Sequence, residues 1–191
     1  MIFVEDKISG RWRALAFIAL WLTYSFKNAF ATGMALRMMP YITSGLAFNV
    51  ALADSPVLIG FSYVLSGLIW AAISYFISVF IFSFFSRRLS QVAAISRNDF
   101  ITIVCFSTSI ANLIAGGVLW FSFLNPLLFA LATSVLNIAV YAAVYVGTFL
   151  WLYKKEHIPA AGAPSLYLLL SAVFWGYHLA NFLMNTAGGL I

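Results

Sequence analysis

Acidic residues are what this chain has least of. Five Asp and Glu stand against ten Lys and Arg in 191 residues. None of the five (Glu5, Asp6, Asp54, Asp99, Glu156) falls inside an apolar run, which argues against a carrier that couples to protons through buried carboxylates. Cysteine is nearly absent as well. With Cys105 alone there is no intrachain disulfide and no Cys-rich metal site, and its place in an apolar run reads as a buried small residue. No HExxH, no pair of intramembrane aspartates and no phosphate-cradling glycine loop occurs, so neither a catalytic centre nor a metal or cofactor is expected. A bis-histidine haem would need two axial histidines at one depth, and His157 sits in a loop beside Lys155. The basic residues form no long patch, so the excess positive charge does not point to nucleic acid. No small-residue cleavage site follows the first apolar run, which therefore reads as a retained signal anchor behind Lys7, Arg11 and Arg13.

What is there is hydrophobic: 64% of the residues, with only 8% charged and a mean hydropathy of +1.02. That composition lies far from soluble domains and predicts an all-α, polytopic membrane bundle forming a single domain, 1–191. Five transmembrane helices are expected, over about 14–36, 57–86, 99–124, 127–153 and 164–190. Residues 1–13 read as a polar tail with Trp12 at the headgroups. The stretch 38–53 carries Pro40, Ser44, Gly45 and Asn49 and reads as an interfacial or re-entrant segment. Five spans put Lys7, Arg11, Arg13, Arg87, Arg88, Arg97, Lys154 and Lys155 on one side. The other side receives Arg37, with Lys27 inside a span. The positive-inside rule then predicts the N-terminus inside and the C-terminus outside. A multi-pass protein of a bacterial inner membrane is the expected setting, with the lipid bilayer as one partner.

The 57–86 stretch has the most marked pattern. Ser55 and Pro56 open it, and Ser62, Ser66, Ser74 and Ser78 recur at steps of four and eight beside Gly67 and Ala71. Such a row is a helix-packing stripe, expected to meet the later spans and to make this the central helix of the bundle. The other aromatic residues (19 Phe, 9 Tyr, 6 Trp) read mostly as lipid contact and interfacial belts.

Polar residues inside the spans are costly unless paired, so they carry the functional information. In the third span Cys105, Ser109, Asn112 and Gly116 share a face, and in the fourth Thr133 and Asn137 do. The Asn125-Pro126 turn places Asn112 and Asn137 at nearly one depth, facing each other or a shared third helix. In the fifth span Ser171, His178 and Asn185 are spaced by sevens, with Asn181 on the same side. Lys27, Asn112, Asn137, His178 and Asn181 thus make a candidate polar belt near the midplane. Read plainly, the belt holds helices together; read functionally, it lines a path or a binding cavity. Lys27 has no acidic partner in any span. It snorkels to the outer headgroups, pairs with a carboxylate or lipid phosphate outside this chain, or is neutral or binds an anion.

Five spans, an inside N-terminus, an outside C-terminus with almost no tail, and the basic link from Arg87-Arg88 to Asp99 resemble the general plan of the Yip1 family of small membrane proteins. That resemblance implies a trafficking or organising role and carries over no site residue. The reading these features favour is a non-catalytic subunit or scaffold of a larger membrane complex, acting through helix association with other subunits or a second copy. The alternative is a small channel or carrier with a polar midplane cavity.

Overall fold

A computed structural model of the chain describes residues 7–38, 56–88, 95–121, 135–155 and 162–188. Among them the structure is all α, without strands: α1 (Gly10–Met38), α2 (Pro56–Arg88), α3 (Arg97–Phe121), α4 (Asn137–Lys155) and α5 (Ala163–Gly188). The expected segment over 38–53 and the turn at Asn125-Pro126 lie outside the described residues.

The helix starts have local causes. The Ser9 carbonyl accepts the amides of Trp12 and Arg13 at 3.1 and 3.4 Å, so α1 begins earlier than the polar tail expected from the sequence. Trp12 belongs to its first turn, with its ring 6.5 Å from that of Phe106. Pro56 opens α2, where its missing N–H is no loss. Ser96 caps α3: its hydroxyl accepts the Asp99 amide at 3.0 Å and its carbonyl accepts that of Phe100 at 3.0 Å.

Asp99 faces away from its own cap. Its carboxylate accepts the backbone amides of Lys7 at 2.8 Å and Ile8 at 3.0 Å, although it is 5% exposed. The Arg13 guanidinium donates to the Ile8 carbonyl at 3.1 Å. The only carboxylate among the described residues thus ties the start of α1 to the start of α3.

Among the described residues two helices, over Gly60–Phe85 and Arg97–Trp120, are long and apolar enough to cross a membrane. α1 contains Arg11, Arg13 and Lys27, and α4 spans 19 residues ending on Lys154 and Lys155. In its most apolar 18-residue window α2 has 28% of its residues buried and α3 has 61%. The more deeply buried helix is therefore α3, which packs on α1, α2 and α4, while the 57–86 helix packs on α1, α3 and α5. The reason is side-chain size. α3 presents Ser107, Thr108, Ser109, Ala111 and Ala115 inward, and small side chains let neighbouring backbones approach. α2 instead turns Phe61, Phe76 and Phe80 outward, each at least 65% exposed.

Two members of the serine row of α2 hydrogen-bond to α1. Ser66 accepts from the Asn28 amide at 3.0 Å, and Ser74 shares a 2.7 Å hydrogen bond with Tyr24. Between them Gly67 lies against Ser25 so closely that a Cβ there would stand 2.6 Å from the Ser25 nitrogen and 2.8 Å from its Cα. The Trp21 indole donates to the Val64 carbonyl at 2.9 Å across the same seam. Ser78 returns its hydroxyl to the Ser74 carbonyl within α2, while Ser62, in the second turn of α2, is exposed. α5 packs on α2 and α4, with Gly176 against Ile77 and Ile81.

Candidate functional site

Halfway along α1, Lys27 turns inward. It is 9% exposed, and its ammonium donates to the Tyr141 hydroxyl of α4 at 3.0 Å while lying 4.7 Å from the centre of that ring. This is not the snorkelling geometry, in which the charged end reaches water.

The chain of hydrogen bonds continues from the phenol. Tyr141 donates its one proton to the Asn112 side-chain oxygen of α3. The Asn112 amide in turn contacts the Thr23 hydroxyl of α1 at 3.4 Å, and Thr23 donates to the Leu20 carbonyl at 3.1 Å. A phenol that gives its proton to a carbonyl oxygen becomes a better acceptor, so Asn112 strengthens the hold of Tyr141 on the ammonium. Asn112 and Tyr141 are both 0% exposed.

Aromatic rings wall the site. Tyr177 of α5 stacks on Tyr141 with centroids 5.1 Å apart, and their hydroxyls stand 3.5 Å apart. His178 meets the Tyr141 ring edge-on at 5.5 Å and the Phe174 ring at 4.5 Å. Tyr24 packs on Tyr177 at 6.0 Å and links the group to Ser74 of α2. All five helices thus contribute.

Magnitudes decide how stable this centre is. Burying an ammonium costs several kcal/mol even after relaxation. One charge-assisted hydrogen bond returns about 1.5–3 kcal/mol, and a desolvated cation–π contact about 2 kcal/mol. Asp99, at the start of α3, is occupied by Lys7 and Ile8. Lys27 therefore has no carboxylate partner among the described residues, and the Tyr141 hydroxyl is its acceptor there. An ammonium has three donors, so its hydrogen-bonding capacity is only partly used. Two further polar atoms nearby are buried without a hydrogen-bond partner among the described residues: Nε2 of His178 and Oδ1 of Asn137. Asn137 stands one helical turn before Tyr141.

Of the expected belt, the structure brings Lys27 and Asn112 together through Tyr141 and sets the His178 ring against the same tyrosine. Among the described residues no hydrogen bond joins Asn112 to Asn137 Oδ1. The partner of Asn112 on α4 is Tyr141, one turn further along, and its contact on a third helix is Thr23 of α1. The Asn181 side chain lies outside the described residues. Sequence reasoning missed Tyr141, Tyr177 and Tyr24, because tyrosine was assigned to lipid contact and interfaces. The signal was present: Tyr141 follows Asn137 by four and Tyr177 adjoins His178, so both lie at the depth of the belt. Among the described residues no three of His, Cys, Asp and Glu come close enough to hold a metal ion.

No protein-family model, curated protein or solved structure matches this chain, so the likeness to the Yip1 family remains one of layout.

Proposed function

We propose that this chain is a five-span membrane protein, N-terminus inside, whose Lys27 centre binds a small anion, or the anionic group of a solute, on its way across the bilayer. The observation that carries this reading is a buried ammonium joined to Tyr141 and lacking a carboxylate partner among the described residues. A charge kept in hydrocarbon at a cost of several kcal/mol is a functional candidate by default, and its sign selects anions. His178 Nε2 adds a second group with unused hydrogen-bonding capacity beside the same tyrosine. The five crossings and the bacterial inner-membrane setting belong to this proposal. They are supported by the charge asymmetry of the loops and by an exposed surface rich in Phe, Leu, Ile and Val.

The subunit reading drew on the serine row and on Lys27 as surfaces for another chain. Both are engaged inside this one: Ser66 and Ser74 by α1, and Lys27 by α4. Neither now favours a partner helix. Purification in mild detergent tests that step, and a second membrane protein present in equal amount would restore the subunit reading.

The direct experiment is flux of chloride and of acetate into liposomes holding the purified chain. The proposal expects saturable uptake of at least one anion, with potassium excluded. Asn112→Ala, which removes the acceptor behind Tyr141, is expected to lower uptake at least tenfold. Vesicles that take up no anion above the protein-free background would overturn the proposal.

A further inference from the structure

The groove between α4 and α5 is not used by the Lys27 centre. It encloses about 210 Å³, several times the roughly 30 Å³ share of one water molecule. Ala142, Val146 and Phe149 form one wall; Tyr167, Leu170 and Trp175 form the other. The α4 residues repeat at three and four, so the trough follows the helix axis. Its lip is open to the outside of the bundle, since Val146, Tyr167 and Trp175 are about half exposed or more.

The ends of the groove differ in chemistry. Towards the middle of the bundle it runs up to Phe174, whose ring meets His178. Towards the other end Phe149 stacks on Tyr153 at 6.1 Å and meets Tyr167 edge-on at 5.5 Å. Tyr153 and Tyr167 are exposed, and Lys154 and Lys155 follow at once, exposed at the last turn of α4. Amphipathic aromatics at a span end mark the headgroup level. Cations at a helix C-terminus sit where the backbone dipole favours them, and lysines at such a level attract anionic lipid headgroups. An apolar trough ending on two tyrosines and two lysines has the polarity of a single anionic phospholipid.

We infer that the α4–α5 groove holds one acyl chain of an inner-leaflet anionic phospholipid, with its phosphate at Lys154 and Lys155. The site rests on the membrane-spanning part of the proposed function and is independent of Lys27. The lipid anchors α4 to α5 along a seam otherwise held by aromatic contacts.

Native mass spectrometry of the full chain, extracted in neutral detergent and mixed with equal amounts of phosphatidylglycerol and phosphatidylcholine, tests it. The site predicts one retained lipid per chain, with phosphatidylglycerol favoured at least fivefold. The double variant Lys154→Gln and Lys155→Gln, at exposed positions that leave packing intact, abolishes the preference. Val146→Trp, which fills the trough from its exposed lip, removes the retained lipid altogether. Lys27→Met leaves retention unchanged, so failure of the anion centre and failure of this site are told apart. Equal retention of the two lipids, a preference that survives the double variant, or retention that survives Val146→Trp would each overturn the inference. Glycerol 3-phosphate competing as well as the intact lipid would overturn it too, because the chain would then contribute nothing.

Discussion

Tyr141 carries more of the interior than any charged residue does. It accepts from Lys27, donates to Asn112 and stacks on Tyr177, so three helices meet on one phenol. Tyr141→Phe keeps the ring and the cation–π contact but leaves a buried ammonium and a buried amide oxygen unsatisfied. The expected loss is about 1–3 kcal/mol per orphaned group, visible as a lower unfolding temperature in detergent. Adding Lys27→Met to Tyr141→Phe is expected to recover part of that loss, because only one of the two orphans then remains. A double variant as unstable as the sum of the singles would show that the residues act independently. The polar members Lys27, Asn112 and His178 could be found from the sequence, because polar groups in apolar runs are conspicuous and helical spacing gives their depth. Tyr141 could not be singled out among nine tyrosines, since the same residue type also serves as an interfacial anchor. The inward turn of Lys27 is set by its partner on another helix, which spacing within one span does not reveal.

Between elements, the α1–α2 seam brings two backbones into close approach at Gly67 and Ser25. Gly67→Ala would drive a methyl into the Ser25 backbone, and overpacking of this kind costs about 1–3 kcal/mol. Gly60, on the same helix, has nothing within 4 Å of its Cβ direction, so Gly60→Ala is expected to be neutral or stabilising by up to about 1 kcal/mol. Thermal unfolding of the two variants side by side separates close approach from helix propensity. Limited proteolysis tests the tie between the starts of α1 and α3. Asp99→Ala frees two backbone amides that now share one carboxylate. Hydrogen bonds to a charged acceptor contribute about 1.5–3 kcal/mol, so limited proteolysis should cut near Lys7 several times faster in that variant. Helix existence was legible in the sequence because apolar runs and the Ser55-Pro56 start mark it locally. Which helix is more deeply buried was not. The serine row of α2 has the right spacing for packing, but spacing does not say that α1 receives Ser66 and Ser74. The burial of α3 depends on how closely its small residues let the neighbouring helices approach, a property of the assembled bundle.

For the molecule as a whole, the proposal joins the orientation of the chain to the placement of one charge. Reporters fused to the two ends are expected to score inside for the N-terminus and outside for the C-terminus. Matching scores would mean an even number of crossings and would move the basic links to the wrong side. A bundle kept only for its stability gains little from a lone buried ammonium, and exchanging such a group for an apolar one of similar size is often neutral or stabilising by about 1–4 kcal/mol. Lys27 is therefore the position where fold and function separate. The measurement that tests this most directly pairs anion flux in liposomes with thermal unfolding for Lys27→Met. The account predicts that flux falls to background while the unfolding temperature holds or rises. Full flux in the variant, or a marked loss of stability with no effect on anion selectivity, would contradict it and leave Lys27 as part of the packing.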